Sequence, residues 1–356
     1  MPIDNRSSTG AGPWDVVGHT WAVQLLQKAA SSAPRLAGER SGPNHAYLLL
    51  GAPQIGKTTL AKAFARALLC EADDGRPCAQ CRSCQLLARG SHPDFRVLQP
   101  TDKEGVVDRL NGELRAERAA DLIREAALRP NAGRWRIILI QDIHTANPSF
   151  ANKILKTLEE PPSQSILLLT ALDRSSVLPT IASRCQVLEL RPLDTGAVEQ
   201  ALRTGWQASA EQAMLLARLS SGRLGWAVDQ LRDPDRSQQR LDQLHTLWRL
   251  MAADRIERLA FAETLAANRN SRQLFGLLEV WTGWWRDLLL AQANCTDACS
   301  NVDQEAELQR QAHILDRGLV REFMHTLQRI EGYLHHTVNT RLALDVLVLH
   351  LPDLKS

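Results

Sequence analysis

Nowhere in the chain do about 18 apolar residues run together, so no segment is expected to cross a membrane as a helix. The first residues lack the apolar stretch of a secretory signal, and the expected location is therefore cytoplasmic. A surplus of one charge sign is also missing: 42 basic and 40 acidic groups leave a net charge of +2. That near-balance argues against a strong nucleic-acid footprint of the chain's own, and any DNA contact is expected to be shared with partners. Internal repeats and low-complexity tracts are absent as well, which excludes a repeat array. What is present suffices for more than one ordinary core. The 356 residues are 44% apolar, and their number suggests two or three domains.

One segment carries a full phosphate-binding pattern, G-x-x-x-x-G-K-[ST], from Gly51 to Thr58. The apolar run Tyr47–Leu50 before it reads as a buried strand, and Thr58–Cys70 after it reads as a helix. Glycines at both ends let backbone N–H groups close on phosphates, and the helix N-terminus adds its positive end. Gly51, Gln54, Ile55, Gly56, Lys57, Thr58 and Thr59 are the candidate nucleotide contacts. Lys57 would reach the β- and γ-phosphates, and Thr58 would hold Mg²⁺ beside ATP or ADP. The bland alternative, a Gly-rich turn, does not account for the flanking strand and helix.

Further strand-like runs are Phe95–Leu98, Trp135–Ile140, Ile166–Thr170 and Gln186–Leu190, alternating with helical patterns. Strands alternating with helices predict a parallel sheet covered on both faces, a P-loop α/β domain over residues 14–192. Residues 1–13 are polar and rich in Gly, Pro and Ser, and are expected to be flexible. Beyond Arg191, Pro192 and Leu193 strand signals vanish. Residues 193–236 read as a small helical unit, and 237–356 as an all-α bundle.

Four of the seven cysteines, Cys70, Cys78, Cys81 and Cys84, lie in a C-x7-C-x2-C-x2-C pattern. Four thiolates at such spacing can surround one tetrahedral Zn²⁺, and disulfides are not expected in a cytoplasmic chain. Structural zinc is the reading, against free surface thiols. Catalytic zinc is excluded by the lack of an open position. Cys295 and Cys299 read as incidental thiols. Trp281, Trp284 and Trp285 fall within one helical turn and are expected to pack a core rather than stack on bases.

Three more features follow the P-loop. Gln141 and Asp142 end the third strand, where P-loop ATPases carry Asp then Glu. An A-N-x-x-L-K-x-L-E-E-P-P segment runs from Ala151 to Pro162, and Ser183, Arg184 and Cys185 follow the Leu178–Pro179 turn. With the four-cysteine module, these motifs resemble the bacterial clamp-loader subunits of the AAA+ ATPase family. Trp14 to His19 resembles that family's adenine-side box, which puts Val17 among the candidate nucleotide contacts. His92-Pro93-Asp94 and, more thinly, the stretches at Trp285–Leu289 and Asn339–Leu344 also match.

The resemblance implies an AAA+ domain, a helical lid and a collar. The partners it implies are motor (gamma/tau) and delta subunits in a hetero-pentamer, the sliding clamp and, through the complex, primed DNA. It implies that Arg184 is an arginine finger acting in trans on a neighbour's ATP, while Asp142 is a weaker candidate catalytic residue. Gln141 for Asp, Ala171 at the usual polar sensor and Gly225 at the usual phosphate-sensing Arg favour the delta-prime subunits, with weak hydrolysis of the chain's own. The alternatives are a hydrolysing gamma/tau-type motor subunit or another AAA+ remodelling ATPase.

Overall fold

The computed structural model describes residues 14–31, 42–72, 75–109, 112–233, 235–267, 271–334 and 339–354; the flexible stretch expected at residues 1–13 lies outside them. Five strands form where the apolar runs predict them: β1 (Ala46–Leu50), β2 (Phe95–Leu98), β3 (Arg136–Ile140), β4 (Ser165–Ala171) and β5 (Gln186–Glu189). All pair in parallel, in the order β2-β3-β4-β1-β5. The three central strands are buried at every position, and the two edge strands are partly exposed. Such burial follows from helices covering both faces of a parallel sheet.

Successive side chains on a strand point to opposite faces, so each strand feeds two cores. On one face Tyr47, Leu49, Ile137, Leu139, Ile166 and Leu168 pack with α1 (Thr20–Ser31), α2 (Lys57–Leu69) and α3 (Arg82–Ala88). On the other, Leu48, Leu50, Ile138, Ile140, Leu167 and Leu169 pack with α4 (Ala116–Ala127), α5 (Pro148–Glu159) and α6 (Pro179–Ala182). Burying one such leucine is worth roughly 1.5–3 kcal/mol, so these alternating runs dominate the energetics of the sheet. The α5 helix starts at an Asn147 cap, whose side-chain oxygen accepts from the Phe150 N–H at 2.8 Å.

After β5 the chain is helical: α7 (Thr195–Trp206), α8 (Ala210–Leu219), α9 (Leu224–Arg232), then α10 (Asp235–Ala252) to α15 (Thr340–Leu349). Two compact units result. One runs through Ala213 and takes in Gly222–Val228; the other comprises Met214–Ser221 and Asp229–Ser356. In the second unit Trp281, Trp284 and Trp285 are fully buried, as their spacing predicts. The Trp284 Nε1–H donates to Gln311 at 3.0 Å, and the Trp285 ring lies 4.6 Å from that of Phe323. Asp287, also fully buried, accepts from the backbone N–H groups of Ser300 and Asn301, both at 2.8 Å, and so fixes the turn between α12 (Ser271–Gln292) and α13 (Glu305–Ile314). Among the described residues no helix is long and apolar enough to cross a membrane.

Candidate nucleotide and metal sites

The first site stands at the carboxyl ends of the central strands, where open α/β sheets bind ligands. β1 runs directly into Gly51, whose φ is +146°; a Cβ there would sit 2.7 Å from the Leu190 carbonyl oxygen. Only glycine fits, and its N–H donates to the Leu172 carbonyl at 2.9 Å, tying the loop to the end of β4. Lys57 opens α2. Its ammonium donates to the carbonyls of Gly51 (2.5 Å) and Ala52 (2.8 Å), inside the loop that would cradle phosphates. Burial lowers Lys57 to about 8, with the charge of Asp142 opposing and that of Arg109 adding to the shift. The ammonium therefore still carries its charge at neutral pH.

Two neighbours shape this loop. His19 Nε2–H donates to the Ile55 carbonyl at 3.0 Å, which sets the Trp14–His19 segment, with half-buried Val17 in it, against the loop. Gly225, in the first turn of α9, donates its N–H to the Gln54 carbonyl at 2.9 Å. A Cβ at Gly225 would lie 2.6 Å from that carbonyl oxygen, so no side chain fits while the contact holds. The usual phosphate-sensing Arg is thus replaced by a close backbone approach. Arg223 is stacked on Trp226, 5.7 Å from the ring centre.

The ends of β3 and β4 supply the second corner of the site. Gln141 donates from its side-chain nitrogen to Thr58 Oγ1 at 3.2 Å, and its oxygen accepts from Gln99 at 2.8 Å. Asp142 is buried, with φ +54°, and its N–H donates to Thr170 Oγ1 at 3.0 Å. Its Oδ2 takes both Arg109 Nε (2.7 Å) and Arg109 Nη2 (2.6 Å). Thr58, expected to hold Mg²⁺, has an amide N–H₂ group pointed at its hydroxyl, and the Asp142 carboxylate is bound by a guanidinium. Mg²⁺ demands oxygen ligands in near-octahedral array, and this donor set does not fit it.

The four expected cysteines do converge. The sulfurs of Cys70, Cys78, Cys81 and Cys84 lie within 4.8 Å of one another, with Cys70 and Cys81 3.9 Å apart. A tetrahedral zinc with Zn–S near 2.3 Å requires sulfurs about 3.8 Å apart, so the cluster fits that ion. Backbone N–H groups of Cys78, Cys81 and Cys84 donate to sulfur at 3.3, 3.3 and 3.4 Å, which favours thiolates. Those of Cys81 and Gln80 bring Cys78 down to about 6. The module is anchored by Glu71, which accepts from the Ser83 hydroxyl (2.7 Å), and by His92 Nε2, 3.3 Å from that same hydroxyl.

Arg184 follows α6, half-exposed. It donates to Glu159 (2.6 Å) and to the Thr180 carbonyl (2.9 Å), with a longer bond to the Ser183 hydroxyl, and makes none to the chain's own phosphate loop. The structure thus gathers the P-loop residues, Asp142 and His19 in one place, the cysteines in a second and Arg184 in a third. Sequence reasoning missed Arg109, Gln99, His19 and Glu159 as members of these sites. The two Trp14–His19 and L-E-E-P-P motifs pointed at His19 and Glu159, but nothing in the local pattern marks Arg109.

A parallel sheet with helices on both faces and a phosphate loop leaving β1 define a P-loop α/β domain, with a four-cysteine insertion after α2. Residues 27–194 match the family model described as DNA polymerase III, delta subunit. Over 153 residues the chain is 39% identical to DNA polymerase III subunit delta′ of Pseudomonas aeruginosa, covering 42% of this chain and 43% of that one. With subunit delta′ of Yersinia pestis it shares 32% over 199 residues, 54% and 56% of the two chains. Subunit tau of Escherichia coli K12 is 32% identical over 222 residues, 59% of this chain and 33% of tau. A gamma subunit-related protein of Thermotoga maritima aligns in structure at 14% identity and TM-score 0.46, over 93% and 97% of the chains. The chain spans about half the length of the delta′ relatives it matches. Over that span it is similar to delta′ subunits and, at lower coverage of the relative, to tau.

Proposed function

We propose that this chain is a delta′-like subunit of the DNA polymerase III clamp loader, assisting ATP-dependent loading of the sliding clamp onto primed DNA. In this reading a nucleoside di- or triphosphate occupies the P-loop, Zn²⁺ is held by Cys70, Cys78, Cys81 and Cys84, and the partners are gamma/tau and delta subunits in a hetero-pentamer. Residues 14–192 act as the AAA+ domain, 193–236 as its lid and 237–356 as the collar. The observation that carries the proposal is an arginine presented outward beside an impaired site of its own. Arg184 bonds to Glu159 across an exposed surface, while Gln141 and Asp142 are engaged with Thr58 and Arg109.

The energetics suit a finger acting in trans. An exposed ion pair such as Arg184–Glu159 is worth about 0–1 kcal/mol, so Glu159 can orient the guanidinium without withholding it. At a neighbour's γ-phosphate the planar, permanently charged fork can be worth about 10³–10⁵ in rate. The test is Arg184→Ala in the reconstituted complex. The expected result is intact assembly with DNA-stimulated ATP hydrolysis lowered at least tenfold, whereas unchanged turnover removes the role.

The intact phosphate loop also suits a motor subunit that hydrolyses its own ATP. Against that reading stand Gln141 and the Gly225–Gln54 contact, which leaves no space for a phosphate-sensing side chain.

A further inference from the structure

We infer that this P-loop takes its nucleoside di- or triphosphate as the metal-free polyanion, with the Arg109 guanidinium in place of the divalent cation. The inference rests on the nucleotide reading above and specifies which form of the ligand the site recognises.

Three features of the corner lead to it. The Thr58 hydroxyl, the protein oxygen that would ligate a divalent cation, accepts a hydrogen bond from the Gln141 amide nitrogen at 3.2 Å. The Gln141 oxygen is turned the other way and accepts from Gln99 at 2.8 Å; flipping Gln141 alone would set two amide N–H₂ groups against each other. Asp142, the nearby carboxylate, is 8% exposed in its side chain and gives one oxygen to two guanidinium nitrogens of Arg109. Its backbone N–H is held by Thr170 Oγ1 at 3.0 Å, which fixes where the side chain starts.

Charge points the same way. Lys57 and Arg109 are two cations beside the Asp142 carboxylate, and the charge of Arg109 also reaches Lys62 on α2. A divalent cation would add to a corner that is already positive. A polyphosphate stripped of its metal brings the negative charge the corner lacks. Backbone N–H groups of the loop, the α2 N-terminus, Lys57 and Arg109 can all face it. Arginine suits the task because its charge is independent of pH and its fork matches phosphate oxygens. Roughly half of the Arg109 side chain is exposed, so it can turn from Asp142 to a phosphate without being extracted from the core.

The test measures ADP and ATP affinity of the full chain by calorimetry, with and without Mg²⁺. Divalent cations are removed from buffer and nucleotide by ion exchange rather than by a chelator, which would also empty the cysteine cluster. The expected result is divalent-free binding no more than about threefold weaker than binding with Mg²⁺, a difference well under 1.4 kcal/mol. Any larger dependence on Mg²⁺ overturns the inference and leaves the nucleotide reading standing. Absence of binding in both buffers overturns the nucleotide reading and the inference with it. Arg109→Gln, checked for an unchanged melting temperature, is expected to weaken divalent-free binding at least tenfold; equal binding by that variant overturns the role given to Arg109. Gln141→Asp should turn the site toward metal, with tighter binding in Mg²⁺ than without it.

Discussion

Asp94 shows how one buried carboxylate can organise the approach to the sheet. It accepts backbone N–H groups of Asn131 and Ala132, both at 2.7 Å, and of Gly133 at 3.0 Å, with Arg136 3.4 Å away. Burial by itself would raise its pKa. The three N–H donors and Arg136 outweigh that and hold it below the ordinary carboxylate value of 3.8. Since the folded value is the lower one, the stabilisation is present above pH of about 4 and is lost as pH falls through the folded value. Asp94→Asn exchanges one accepting oxygen for an N–H₂ that faces other donors. Its expected cost is about 2–4 kcal/mol at neutral pH, read from denaturant midpoints, and a loss under about 0.5 kcal/mol would contradict this role. At this scale the sequence was only partly readable. Gln141 and Gly225 stood out because a motif named the residues they replace. Arg109 did not, because it reaches Asp142 through the fold of an irregular segment that has no periodicity to read.

At the scale of elements, the four-cysteine module is a short loop and helix with little apolar core of its own. Of α3 only Ser83, Cys84 and Leu87 are buried, and its first turn is capped by the Cys81 sulfur, which accepts from the Cys84 N–H. The proposed zinc would therefore supply the order that the module's own core does not. The purified chain is expected to carry one zinc per molecule. Its removal should make four further thiols reactive toward a thiol reagent and lower amide protection through α3 while β1, β3 and β4 keep theirs. A metal-free purified chain with the same α3 protection would contradict the assignment. The strands themselves were legible almost to the residue: a run such as Ile137–Ile140 has no polar position and can only sit between two covered faces. The contact of α9 with the phosphate loop was not legible, since it depends on how closely two backbones approach rather than on side-chain type.

For the whole molecule, the two compact units carry different parts of the account. The first holds the phosphate loop, the cysteine cluster and Arg184; the second is a helical core built around three buried tryptophans. The match to the family model described as DNA polymerase III, delta subunit, over residues 27–194, lies in the first. The central claim is that this chain holds a nucleotide without consuming it and lends Arg184 to a neighbour. Its most direct test is ATP turnover by the purified chain alone in Mg²⁺, with nucleotide binding recorded on the same sample. The account predicts saturable binding that Lys57→Ala abolishes, together with negligible hydrolysis. Robust hydrolysis that disappears in Lys57→Ala would contradict it and make the chain a motor in its own right.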